Sequence, residues 1–482
     1  MGKEQQQYIR RANIAFNKAE FTKSEIYLNK IDNIINTSRS LTCKFAATNL
    51  LNYKYTNALN VLNQYLENNK HIDNKRWQWP ITCRFIWIKY FFVSENNIHP
   101  NSPDLTPEQS RELQAWQQQI PKPIDHTKLD ILKKLYLTNE GVNLFSQQAA
   151  LLELLNEDYV IRCFPPSFWQ HLYKVLYDFL WVEAAYCARR NGINLTRALN
   201  HLVKGSPLSD AILLAEHGQY DLAASKLSTQ DNNCVILPEY KTAYQLLAGK
   251  PLNSISFQIQ EQDMAFFKLL ENKSVAIVAP SGVETFSGNK IDSYDIVIRT
   301  NISDSKTLDR QATHSGRRTD IVYFNGRYEN EILEKDESSI ESEIKYFCYR
   351  FEEFKIKNKK IKNCRKTYIT NPFYEMNSYA IPKIIHDIIR FNPKEICVFN
   401  TDFFLNPKAH YDGYINYQVD LMKSFRSHDI LRNFRLMKGY WLAGLFHAEA
   451  PLDVILAMDE SDFIKKIQLR LTEEKNAGYI VQ

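Results

Sequence analysis

The sequence predicts two parts of different class: a helical, repeat-like amino-terminal domain and an α/β carboxyl-terminal domain on a mostly parallel, doubly wound sheet. Three observations predict it. Up to about residue 255 apolar residues recur at spacings of three and four, and near the start matching residues return 34 positions apart. Beyond Ile255, five short and nearly continuous apolar runs alternate with helical stretches. The expected domains are 1–258 and 265–482.

At 482 residues the chain exceeds one ordinary domain. Its 44% hydrophobic and 24% charged residues are the balance of a globular protein and exclude a disordered or collagenous chain. Sixty Lys+Arg against 55 Asp+Glu leave only +5, too small an excess to imply a nucleic-acid partner. The eight cysteines are scattered without C-x-x-C pairs, which reads as buried thiols in a reducing compartment. The polar start lacks the apolar core of a signal peptide, and the apolar run at 85–93 falls short of the roughly 18 residues of a spanning helix. A cytoplasmic protein is expected, with contact at the inner face of the membrane left open.

In the helical half, Ala12, Phe16, Phe21, Thr22 and Leu28 return as Ala46, Leu50, Tyr55, Thr56 and Leu62, a period that belongs to tetratricopeptide-type helix pairs. Ala215, Gly218 and Ala223 carry a third echo, with the glycine at the turn. Residues 76–200 read as helices without a period, so an irregular helical domain remains the alternative. Pro121, Pro123, Pro165 and Pro166 mark joints.

In the α/β half, runs at 274–279, 295–299, 320–324, 345–349 and 395–399 read as buried parallel strands. A helix is expected over 378–391, with Pro382 in its first turn. Ligands of such sheets bind beyond the carboxyl ends of the strands. There the first strand meets the turn Pro280-Ser281-Gly282, and the second ends in Arg299-Thr300-Asn301. Neither a Walker loop nor a dinucleotide-binding glycine pattern is present. Read alone, Arg299 and Asn301 suit an anion and ribose site, or equally a surface charge and a turn residue.

The stretch 275–282, then 291–301, then Gly316-Arg317-Arg318-Thr319-Asp320, resembles the large sialylmotif of the animal-type sialyltransferase family in order and spacing. The resemblance spans roughly 272–440 and implies a Rossmann-like, GT-A-variant fold with a CMP-linked sugar acid as donor. It assigns donor contacts to Ser281, Gly282 and Asn301, although Pro280 replaces the family's usual Asn; Arg299 joins them as the donor-binding cation that the strand-end reading suggests. Asn377-Ser378-Tyr379-Ala380 and the strand ending in Asn400-Thr401-Asp402 resemble the small motif loosely. That places Ser378 at a helix start, where N–H groups suit the donor carboxylate, and Thr401 in the following loop. Animal relatives join the two motifs by a disulfide; neither matching position here is Cys, as expected of a bacterial relative.

His410-Tyr411-Asp412 and Ser427-His428-Asp429 resemble the family's third and very small motifs. The resemblance implies His428 as general base, since an imidazole with an unperturbed pKa of about 6.5 is largely neutral at physiological pH. His410 and Tyr411 would offer hydrogen bonds or charge to the departing phosphate. Asn433 stands where the family has Glu, and Asp429 is the nearest carboxylate that could substitute. His217, His314, His386 and His447 read as structural. With no Asp-x-Asp and a donor carrying one phosphate, neither a divalent metal nor another cofactor is expected. The expected activity is inverting transfer of sialic acid or a related ulosonic acid to a saccharide acceptor, in capsule or lipooligosaccharide synthesis. CMP-Kdo is the alternative donor, and a helical-repeat scaffold with a degenerate transferase domain is the alternative from another class. The helical half is expected to bind a protein partner or present the acceptor.

Overall fold

The structure, a computed structural model, describes residues 3–17, 21–31, 34, 39–51, 54–68, 131–132, 148–157, 160–161, 164, 166–179, 181–203, 207–227, 237–257, 259–301, 303, 305–324, 344–349, 363–367, 371–374, 376–414, 424–425 and 428–476. They form two compact units, Met1–Ser206 and Pro207–Gln482. The apolar run at 85–93, Pro121, Pro123, Pro165, Cys83, Cys163, Cys234 and Ser427 lie outside the described residues. Among the described residues no helix is long and apolar enough to cross a membrane.

The first unit is helical where described. It comprises α1 (Lys3–Asn17), α2 (Phe21–Leu28), α3 (Arg39–Leu51), α4 (Tyr55–Asn68), α5 (Gln148–Leu155), α6 (Pro166–Asp178) and α7 (Val182–Val203). Each of α1 to α3 packs on the next. The repeat equivalents Ala12 and Ala46, like Leu28 and Leu62, are fully or almost fully buried, so the 34-residue offset marks equivalent helix-packing positions. Pro166 opens α6, where its missing N–H has no helical acceptor to lose.

In the second unit all five expected strands form, as β1 (Ser274–Val278), β2 (Ile296–Thr300), β3 (Ile321–Tyr323), β4 (Tyr346–Tyr349) and β6 (Glu395–Phe399). Two more, β5 (Cys364–Lys366) and β7 (His447–Ala448), complete a seven-stranded sheet of order β5-β4-β3-β2-β1-β6-β7. Every neighbouring pair is parallel, with Val275 opposite both Ile296 and Ile396. The inner strands are buried on both faces, which is why they read as unbroken apolar runs. The chain works outward from β1 to β5 and then returns to β6 on the other side of β1. The switch point therefore falls between β1 and β6. On one face, α12 (Gly288–Asp292) sets Ile291 against Ala276, Val278, Val297 and Phe399.

The expected boundary at 258–265 moves to Ser206/Pro207, because α8 (Pro207–Glu216), α9 (Tyr220–Lys226) and α10 (Leu237–Leu247) belong to the sheet-bearing unit. Single polar side chains hold them there. Glu216 pairs with Arg432 at 2.7 Å and accepts from the Tyr374 N–H, and the Tyr244 hydroxyl donates to the Pro372 carbonyl. Gly439 of α15 (Ile430–Leu442) lets α10 approach closely: a Cβ there would sit 2.4 Å from Leu247 Cδ2. The third repeat echo thus braces the α/β fold.

A buried charge network ties α10 to the sheet. Arg390 makes two bonds to Glu239, at 2.9 and 2.6 Å, and His386 Nε2 donates to the same carboxylate at 3.2 Å. Arg365 lies between Asp263 and Asp387 with Phe266 and Phe391 against its guanidinium, and Tyr323 donates to Asp387 at 2.6 Å. Burial would raise the Glu239 carboxyl, but hydrogen bonds from His386 and Arg390 and the Arg390 charge hold it down at about 2. A depressed carboxylate stabilises the fold above its unfolded pKa, and that stability disappears as pH falls through the folded value. Acid unfolding should therefore show a loss of about 3 kcal/mol between about pH 4.5 and 2 that Glu239→Gln removes, measured by denaturant titration at several pH values. Equal acid sensitivity in parent and variant would sink this. Burial also pushes the thiols of Cys348 and Cys397 up to about 12 and about 11, so both are inert packing groups.

Candidate functional site

At the carboxyl end of β1, Ala279 extends the pairing to Phe399 and the chain turns through residues 280–282. The Pro280 carbonyl accepts from the Tyr411 N–H at 3.1 Å, so a residue with no N–H to give still ties two site segments together. Ser281 is buried beside Asp402, whose carboxyl burial raises, an effect that hydrogen bonds from Asn406, Phe404 and Ser281 only partly offset. Gly282 is required by close approach: a Cβ there would meet the Lys408 stem at 2.7–2.9 Å. The Lys408 stem thus lies beside the turn, and its ammonium is held by Asp412 at 2.8 Å.

β2 supplies two residues of opposite fate. The Arg299 guanidinium is buried and donates to the carbonyls of Ser315, Gly316 and Arg318, satisfying acceptors at the end of α13 (Ser305–Ser315). This geometry commits it to structure, contrary to its expected donor contact. Asn301 lies next to the strand end in the left-handed region at φ 59°, which Asn tolerates well. Its Nδ2 donates to the Tyr414 hydroxyl at 2.7 Å, and Ser303 bonds the Tyr411 hydroxyl at 2.9 Å. Arg317 is exposed beside Asp309, whereas Arg318 caps the carbonyls of Asp292 and Tyr294.

β6 ends in a second left-handed asparagine, Asn400, bonded to Thr285 and to the His314 carbonyl. Thr401 follows, half-buried; then Asp402 accepts from the N–H groups of Phe404 and Asn406. Phe403 and Phe404 also have positive φ, and the Phe404 ring meets His410 at 5.9 Å and Tyr379 at 5.6 Å between centroids. Burial pushes His410 down to about 4. It is therefore neutral at physiological pH and can offer a hydrogen bond but no charge, which corrects the wider expectation for it.

α14 (Ala380–Ile388) starts later than expected, with Tyr379 as N-cap and Pro382 in the first turn. Ser378 sits one residue before the cap, buried, with its N–H on Asn371 Oδ1, so the helix start is not its place. His428 immediately precedes Asp429, which caps α15 by accepting from the Arg432 N–H. Asp429 therefore serves the helix rather than the imidazole. His428 Nδ1 lies 3.1 Å from the Asn377 carbonyl and its ring stacks on Tyr379 at 4.8 Å. A carbonyl can only accept, so Nδ1 carries the proton in that bond.

Of the expected site residues, Ser281, Gly282, Asn301, His410, Tyr411 and His428 are joined by this chain of contacts, Thr401 only follows Asn400 in sequence, and Arg299 and Ser378 are held in the scaffold. Sequence reasoning missed Tyr379, Phe404, Lys408 and Tyr414, although two of these lie within four residues of His410. His386 is buried between Tyr440 and Glu239, a structural position as expected. Among the described residues no group of three or more His, Cys, Asp or Glu is placed to hold a metal ion. Compared with known proteins, the chain matches no family model, and no curated protein matches it.

Proposed function

We propose that the α/β unit is an inverting glycosyltransferase acting on a CMP-linked ulosonic acid and a saccharide acceptor, with a GT-A-variant sialyltransferase fold. The observation that carries this reading is the His428 Nδ1 bond to the Asn377 carbonyl, which commits the Nδ1 proton and makes Nε2 the nitrogen that acts as base in this reading. The acceptor hydroxyl attacks the anomeric carbon opposite CMP and passes its proton to Nε2. The bond from that carbon to the CMP phosphate oxygen breaks, and its electron pair leaves on the phosphate. His410 and Tyr411 serve that oxygen as neutral hydrogen-bond donors, and Lys408 supplies the nearby cation in place of Arg299. Asn301 and the 280–282 turn hold the nucleotide.

The test is acceptor-dependent CMP release from CMP-sialic acid and from CMP-Kdo, without metal, using a capsule-type oligosaccharide. Turnover with one donor supports the reading and identifies the acid. Absence of turnover with both, together with no CMP binding by calorimetry, would remove it in favour of a scaffold.

A further inference from the structure

We propose that Asn433 is the positioning residue of His428, holding its imidazole in the Nδ1–H tautomer by clamping the two backbone segments on which the ring depends. The clamp stands on this chain's hydrogen bonds; its consequence for rate rests on the transferase reading. Asn433 is fully buried in the first turn of α15. Its Oδ1 accepts from the Tyr379 N–H at 2.7 Å. Its Nδ2 faces three carbonyl oxygens, those of His428 at 2.5 Å, Asn377 at 3.1 Å and Asp429 at 3.1 Å. The amide can lie only one way round, because an N–H needs the oxygen and the carbonyls need the NH₂.

Three restraints on the imidazole pass through this one side chain. The His428 carbonyl fixes where the ring leaves the backbone. The Asn377 carbonyl, which receives His428 Nδ1, also receives Asn433 Nδ2, using both acceptor directions of one oxygen. Tyr379, whose ring stacks on the imidazole, has its own N–H held by Asn433 Oδ1. A carboxylate at this position would present an oxygen with no proton to carbonyl oxygens, so the glutamate expected by family resemblance does not suit this cluster. The neutral amide organises the base here instead of tuning it by charge.

The experiment uses full-length protein with ¹⁵N-labelled histidine, the His428 signals assigned by loss in His428→Gln. Parent protein is expected to show the Nδ1–H tautomer. Asn433→Asp keeps the size and removes the donor; at neutral pH it should shift His428 toward the Nε2–H form and lower kcat about 100-fold. The donor KM should stay within about threefold, because the side chain acts on the base and not on nucleotide binding. Asn433→Ser, smaller and uncharged, is read in parallel should the aspartate variant not fold. A parent in the Nε2–H form, or a folded variant that keeps the Nδ1–H form or its kcat within about threefold, overturns the proposal. Because the tautomer is read without turnover, failure of every CMP donor would count against the transferase reading and leave this result standing.

Discussion

His428→Ala is expected to lower kcat for transfer by about 10²–10⁴ while CMP binding persists, the range a positioned general base contributes. The separation follows from the site. The groups assigned to CMP lie on the β1 and β2 ends and the 410–414 segment, whereas His428 lies at the start of α15, with the Tyr379 and Phe404 rings between it and His410. Losing the imidazole removes a proton acceptor without touching Ser281, Asn301 or Tyr411. Rapid-mix turnover and CMP calorimetry on the same samples check both halves. A variant retaining kcat within about threefold would place the base elsewhere, and one that loses CMP binding would place His428 in the nucleotide pocket.

Arg365→Met is expected to cost about 3–5 kcal/mol, because it removes the cation between two buried carboxylates and leaves Asp387 only the more distant Arg390 at 3.9 Å. Arg365, Asp263 and Asp387 are each almost inaccessible to solvent. Methionine matches the stem of the guanidinium and can lie against Phe266 and Phe391, so the loss is electrostatic and not a cavity effect. At about 2–4 °C per kcal/mol for a unit of this size, the melting temperature should fall by about 10 °C. Adding Asp263→Asn and Asp387→Asn to Arg365→Met should restore much of that. A single variant melting within about 2 °C of the parent would show that the network is not what holds these elements together.

The inner strands were legible because burial on both faces writes itself as an unbroken apolar run, visible at Val275-Ala276-Ile277-Val278. β5 and β7 were not: Cys364-Arg365-Lys366 and His447-Ala448 are too short and too polar to carry a period. The domain boundary was hidden for a different reason. Helices α8 to α10 share the spacing of the helices before them, and their attachment rests on single residues such as Glu216 and Glu239, whose partners are far away in sequence. Within the candidate site, order and spacing single out Asn301 and His428, and the structure sets Asn301 against Tyr414 and His428 against Tyr379. The role of Arg299 could not be read in this way, since its acceptors are carbonyls that the sequence does not spell. Asn433 read as a defect for the same reason: its four partners are all backbone groups.

The strand order also sets a timetable for biosynthesis. One edge of β1 is covered soon after it is made, because Val275 pairs with Ile296; the other waits for Ile396, 121 residues after Val275. At about 5–20 residues per second, a ribosome leaves that edge bare for roughly 6–24 s. During that interval the most apolar strand of the sheet has unpaired backbone groups along one side, and the β1–β6 crevice does not yet exist. The nascent chain is then at its most exposed to pairing with a neighbour or capture by a chaperone, and the β1–β6 pairing is completed only late in synthesis.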